Sequence, residues 1–129
     1  MRFGDTDALG HVNNASFASY AEVARLEFLQ LLEKSVTSLI LASLHIDYRR
    51  QVGFGSRIYV ETWVAKLGNT SMTLGQAINA NDELAADVRS VVVLFDYSAS
   101  KPLQLTSEMR MQLEPYVARE RTPGGFGLG

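Results

Sequence analysis

From Phe17 onward, apolar or small residues recur at helical spacing: Phe17, Tyr20, Ala21, Ala24, Phe28, Leu31 and Leu32 fall on one face, the pattern of an amphipathic helix. The spacing predicts a helix over residues 14–34, about 30 Å long. Asn13 or Asn14 can cap its start by accepting a bond from an orphan amide. Glu22, Arg25, Glu27 and Glu33 take the other faces and are expected to be wet. After this helix the period changes to two. Ile40, Ala42, Leu44, Ile46 and Tyr48 alternate with Ser43, His45, Asp47 and Arg49, which predicts a strand with one buried face. Ile58, Val60, Thr62 and Val64 predict a second strand, Met72, Leu74 and Ile78 a third, and residues 84–97 a long fourth.

Turn signals separate these strands at residues 52–56, at Gly68, Asn69 and Thr70, and at residues 79–83, which predicts an antiparallel meander. The run Val91, Val92, Val93, Leu94, Phe95 is apolar on both faces, so the fourth strand should lie centrally. The helix would cover one of its faces and something else, such as a second subunit, the other. Residues 106–116 predict a short helix capped by Thr106 or Ser107 and ended near Pro115. One long helix followed by at least four antiparallel strands is an α+β arrangement, a helix wrapped by a curved sheet. A single domain is expected over residues 1–121, with 122–129 a glycine-rich, flexible tail. There is no internal repeat.

Composition narrows the function classes. The 129 residues suffice for one core, and 47% hydrophobic with 20% charged residues is the balance of a soluble globular chain. Twelve Lys and Arg against 14 Asp and Glu give a net charge of -2, so no general attraction to nucleic acid is written in. The absence of Cys removes disulfides, thiolate nucleophiles and Cys-based zinc sites together. The apolar runs at 39–44 and 91–95 are far shorter than the roughly 20 residues of a membrane helix, and no signal-peptide pattern is visible. A cytoplasmic protein without membrane or nucleic-acid partners is expected.

The segment before the helix carries the chemistry. It reads Arg2, Phe3, Gly4, Asp5, Thr6, Asp7, Ala8, Leu9, Gly10, His11, Val12, Asn13, Asn14, followed by Phe17, Tyr20, Glu22, Ala24 and Arg25. This resembles, nearly residue for residue, the opening signature of the 4-hydroxybenzoyl-CoA thioesterase and YbgC-like acyl-CoA thioesterase family, which has the hot-dog fold. Ile46 to Arg50 with Gly55 resembles the family's second-strand and turn pattern, and Gly68 to Ser71 its next hairpin. The resemblance implies acyl-CoA thioester hydrolysis by a homodimer whose sheets join edge to edge, with active sites at the interface; pairing of dimers into a tetramer, a dimer of dimers, is left open. Asp7 matches the family's catalytic carboxylate, and the helix-start amide that polarises the thioester carbonyl falls on Asn14. No cofactor is implied, because coenzyme A is part of the substrate.

Elementary electrostatics agrees. A carboxylate beside a helix N-terminus stays ionised, and the free amides there can hold a developing oxyanion. Asp7 would attack the carbonyl to give a mixed anhydride, or act as general base on water. On its own, an Asp-Thr-Asp before a helix is more often a turn and cap; the resemblance is what raises Asp7 to a catalytic candidate. Asp5 is expected to shape the loop. His11 is an accessory to proton transfer or substrate orientation, against the plainer role of a packed turn residue. Gly10, Asn13 and Phe17 are substrate-binding candidates beside it. Arg49, Arg50, Arg57 and Lys66 are the local cations for CoA phosphates, each also an ordinary surface charge, and Asn69 and Ser71 are candidates in the hairpin. His45, Asp47 and Arg49 share one strand face, a polar groove or simply an exposed edge.

Metal ligation by Asp5, Asp7 and His11 is not expected, since no HExxH helix or facial-triad context surrounds them. The lack of Gly-x-Ser-x-Gly excludes an α/β-hydrolase route. Three departures from the family pattern stand out: the usual leading strand falls short or upstream of Met1, Gln51 replaces a common Pro, and Asn69 with Thr70 stand where basic residues often grip the nucleotide. The last makes acyl-carrier protein an alternative acyl donor. A non-catalytic acyl-binding dimer and a hot-dog dehydratase are the rival classes. Retention of Asp7 beside Gly10 to Asn14 favours the hydrolase, and a dehydratase would want its His in a separate element.

Overall fold

A computed structural model of the chain describes residues 14–32, 38–53 and 55–118. Helix α1 spans Asn14–Leu29 and tightens into a 3₁₀ turn over Gln30–Leu32. Strands β1 (Leu39–Tyr48), β2 (Ile58–Leu67), β3 (Ser71–Ala80) and β4 (Glu83–Asp96) follow, then the two-residue β5 (Lys101–Pro102) and helix α2 (Ser107–Leu113). The sheet order is β1-β4-β3-β2 with every pairing antiparallel, and β5 adds to the end of β4.

β4 is central, as its doubly apolar run predicts. The expected simple meander holds only for β2, β3 and β4. β1 pairs with β4 rather than β2, because the chain between β1 and β2 crosses the end of the sheet. Along that crossing the amides of Arg49 and Arg50 both donate to the Ala85 carbonyl, at 2.7 and 3.2 Å. The β3–β4 connection is a two-residue turn in which Asn81 and Asp82 have φ of 51° and 68°. Positive φ at both central positions is the geometry whose twist matches the flanking strands, and Asn and Asp adopt it readily.

α1 lies over β2 and β3. Phe17 and Ala21 pack with Val52, Ile78, Ala86 and Val88 at one end of the sheet, while Leu32 packs with Val64, Met72, Leu74, Val92 and Leu94 at the other. α2 closes that second end with Met109 and Leu113. Thr106 caps α2, accepting from the Met109 amide at 3.1 Å, and Gln112 Nε2 donates to the Leu31 carbonyl at 3.2 Å. Pro115 stands in the 3₁₀ turn that ends this helix.

Two expectations are corrected. Arg25 is 5% exposed rather than wet, because it follows Phe17 and Ala21 at four-residue intervals and so shares their buried side. In β1 a bulge between Leu41 and Ser43 shifts the phase by one residue. Leu44, Ile46 and Tyr48 face the helix side as expected, but Leu39 and Leu41 take the places foreseen for Ile40 and Ala42, since they pair with the inward Leu94 and Val92.

On the opposite face, Trp63, Gly75 and Arg89 stand in one row across β2, β3 and β4. The Arg89 guanidinium lies 5.8 Å from the Trp63 ring centre, a cation–π contact passing over Gly75. A Cβ at Gly75 would sit 2.5 to 2.6 Å from the Trp63 ring and against the Arg89 guanidinium as well. Gly75→Ala should therefore destabilise the fold by about 1–3 kcal/mol. Urea unfolding followed by Trp63 fluorescence checks this, with the denaturant midpoint lowered and the slope unchanged.

Candidate active site

The helix N-terminus sets the geometry. The first amides of α1, beginning at Asn14, have no partner within the helix and form its positive end. One turn further, Phe17 is buried, with its ring edge-on to Tyr48 at 5.6 Å and to Tyr20 at 6.3 Å. Because Phe17 joins Ile78, Ala80 and Ala86, the N-terminus of α1 lies over the sheet end formed by the last residues of β1 and the β3–β4 turn. Asp5, Asp7, Gly10, His11 and Asn13 lie outside the described residues.

The remaining candidates divide between two ends of the sheet. Arg50 is near the α1 N-terminus: its Nε donates to the Leu84 carbonyl at 3.1 Å and its Nη1 meets Glu83 at 2.9 Å. Lys66, Asn69 and Ser71 are at the far end, around the β2–β3 hairpin. Lys66 is exposed beside a bulge that follows Val64, the Asn69 carbonyl accepts from Leu105 at 2.9 Å, and the Ser71 carbonyl accepts from Gly68 at 2.7 Å. From Ser71 to Ile78 along β3 is about 23 Å. Within one chain these groups do not converge.

The other two candidate cations are committed to carboxylates. Arg57 pairs with Asp82 at 3.1 Å, and Arg49 Nε donates to Asp87 at 2.5 Å. Asp87 is 1% exposed and was not foreseen; its only signal was a lone carboxylate inside an apolar strand. It pairs in register with Asp47, whose Oδ1 lies 3.0 Å from His45 Nε2. The shared face of His45, Asp47 and Arg49 is thus an ion-pair network with Asp87 on the side of the sheet away from α1. Burial pushes the Asp87 carboxyl above its usual range, partly offset by the Arg49 hydrogen bond, and that same bond holds the Arg49 guanidinium up. Burial lowers Arg25, against the field of Glu22.

Gln76 is a second unforeseen group. Fully buried on the helix side of β3, it donates from Nε2 to the Ala21 carbonyl at 3.0 Å and to Thr62 Oγ1 at 3.2 Å, tying α1 to two strands. Among the described residues no three His, Cys, Asp or Glu side chains are grouped to hold a metal ion, and no helix is long and apolar enough to cross a membrane.

The model of the thioesterase-like superfamily matches residues 1–113. The chain belongs to the thioesterase-like superfamily. The match includes the segment that carries Asp5, Asp7 and His11. Among curated members, the long-chain acyl-CoA thioesterase FadM of Escherichia coli is 28% identical over 119 residues, 86% of this chain and 90% of that protein. The acyl-CoA thioesterase YbgC of Haemophilus influenzae is 26% identical over 84% of this chain and 85% of its own length. Among solved structures, a predicted thioesterase from Bacillus stearothermophilus superposes with a TM-score of 0.86 at 27% identity, covering 94% of each chain. A thioesterase from Thermus thermophilus, complexed with coenzyme A and Zn, gives 0.80 at 32% identity over 94% of this chain and 91% of its own. The helix and antiparallel sheet of this superfamily member are the hot-dog fold.

The Asp87 network makes a pH prediction. Its folded pKa lies above the ordinary value near 3.8, so its favourable contribution is fully present below that value and is lost as pH rises through the folded pKa. The stability of the wild type relative to Asp87→Asn should therefore fall as pH rises from the acid range toward neutrality. Paired urea titrations across that window test it, and a wild-type advantage that grows toward neutral pH refutes the assignment.

Proposed function

We propose that this chain hydrolyses acyl-CoA thioesters to free acid and coenzyme A, with Asp7 as nucleophile or general base and the α1 N-terminal amide at Asn14 polarising the carbonyl. The observation that carries the proposal is the superfamily match that includes the Asp7 segment, joined to the helix N-terminus that begins at Asn14. The thioesterase names of FadM and YbgC, and the coenzyme A bound by the Thermus thermophilus relative, support the substrate class.

In the nucleophilic route, an Asp7 oxygen bonds to the thioester carbon, the C–S bond breaks, and the coenzyme A thiolate takes a proton from water. Water then opens the anhydride. In the general-base route, Asp7 takes a proton from water as its oxygen attacks, and the same proton leaves with the thiol. In both, the carbonyl oxygen gains negative charge facing the positive end of α1, where the amides need no reorganisation. Neither route draws on a metal or cofactor, and a reaction of coenzyme A esters fits a cytoplasmic enzyme.

The distribution of candidates favours a homodimer. β1 is an edge strand of ten residues, and antiparallel pairing of its free side with a second copy would bring the Asn69 hairpin of one subunit toward the α1 N-terminus of the other. A dimer of dimers is the further assembly we propose. His11, Gly10, Asn13 and Phe17 would then line the thioester side of the site, and Arg50, Lys66, Asn69 and Ser71 the coenzyme side.

Asp7→Asn should lower kcat for acyl-CoA hydrolysis by about 10²–10⁴ while circular dichroism and unfolding midpoint stay those of the wild type. Released thiol measures the rate. Equal turnover in both proteins would remove Asp7 from the mechanism. Sedimentation equilibrium of the full chain should return twice the chain mass or a multiple of it, and a monomer at micromolar concentration would reject the shared site.

A further inference from the structure

Between its two apolar clusters the core holds a polar layer, to which α1, β2, β3 and β4 each contribute one residue. On β4, Ser90 stands between the inward Val88 and Val92; on β3, Gln76 stands between Leu74 and Ile78; on β2, Thr62 stands between Val60 and Val64; and on α1, Arg25 stands between Ala21 and Phe28. All four are on the interior side of their elements. Gln76 reaches the Ala21 carbonyl and Thr62, Ser90 pairs in register with the inward Leu74, and Arg25 is one turn beyond Ala21. Arg25 is 5% exposed, and Gln76 and Ser90 are fully buried.

Three atoms of this layer have no hydrogen-bond partner: Arg25 Nη1, Gln76 Oε1 and Ser90 Oγ. The Gln76 amide cannot turn to serve them, because its Nε2 is held by the Ala21 carbonyl at 3.0 Å and Thr62 Oγ1 at 3.2 Å. Among the described residues no carboxylate is in ion-pair contact with Arg25. Glu22, exposed and three residues back, acts on it only through its field. A guanidinium does not give up its proton in a protein, and a buried charge without a counterion is strongly destabilising. An apolar side chain at position 25 would complete the core without that penalty, so the layer calls for a negative occupant.

Gln76 and Ser90 are diagonal neighbours on β3 and β4, about 7–8 Å apart. That is too far for their side chains to satisfy each other, and about the span of one small ion with one water. We propose that Arg25, Ser90 and Gln76 form an internal binding site for a small inorganic monovalent anion of the chloride class. Arg25 Nη1 and the Ser90 hydroxyl donate to the anion. The Gln76 oxygen, which an anion cannot satisfy, accepts from a water that gives its other hydrogen to the anion. The bound ion neutralises the guanidinium and so holds the middle of α1 against β3 and β4. This site is separate from the thioester position, since Arg25 is eleven residues, about 16 Å, beyond Asn14 along the helix.

Urea unfolding of the full chain with chloride exchanged for gluconate at constant ionic strength reads the site, because gluconate is too large for an enclosed layer and general screening is held fixed. Raising chloride from about 1 to about 300 mM should lower the unfolding constant of the wild type at least about tenfold, and bromide should act as chloride does. Arg25→Met, of similar volume, should show less than about a twofold change over the same range and be at least as stable as the wild type at the lowest chloride. Ser90→Ala should raise the half-saturating chloride at least about fivefold, and this variant decides the matter if Arg25→Met does not fold. Equal unfolding of the wild type in chloride and gluconate overturns the site. So does a chloride dependence that survives Arg25→Met, which places the ion on the surface, or a half-saturating chloride unchanged in Ser90→Ala.

Discussion

Burial of one side of α1 against the β2–β3 half of the sheet is the constraint on which the rest depends. Phe17, Ala21 and Leu32 are the helix residues committed to it, and the partners they choose fix both the height and the direction of the helix over the strands. Gln76 adds a directional tie, because its amide reaches the Ala21 carbonyl and Thr62 together. Once α1 is set there, its N-terminus must lie at the Ile78–Ala86 end of the sheet, α2 must close the opposite end, and β1 must stand clear of the helix. The positive helix end, the free edge and the uncovered apolar face are consequences of one packing decision.

Local patterns were legible where burial follows the chain. The α1 stripe, the four long strands, the turn at Asn81 and Asp82 and the Thr106 cap can all be read because propensity and periodicity agree there. What sequence periodicity hides is non-local. It does not say that β1 pairs with β4, since a connection crossing the sheet end has the same composition as a hairpin loop. Nor does it reveal the bulge at Ala42, where each apolar candidate fits either phase. Arg25 reads as a surface charge, but its long aliphatic stem suits a half-apolar flank, and only the packing tells that its head is buried too.

The candidate site divides along similar lines. The Asp7 segment stands out as a dense pattern of adjacent residues, which a linear reading captures well, although it lies outside the described residues. Arg50, Asn69 and Ser71 looked like parts of one binding surface, yet they occupy opposite ends of the strands, a separation no spacing rule discloses. Asp87 went unnoticed because its meaning depends on Arg49 and Asp47 across a strand pair. Charged groups in β-structure acquire partners laterally, and lateral neighbours are distant in sequence.

Among the described residues, β1 is an end strand of the sheet, ten residues long, and this bears on how the protein avoids self-association. A long strand with unpaired backbone groups and a leucine-rich face is a template for uncontrolled addition of further strands. Within β1, His45 and Asp47 on its opposite face supply the charged character that discourages such growth. Removing that pair would leave the edge without this restraint on strand addition.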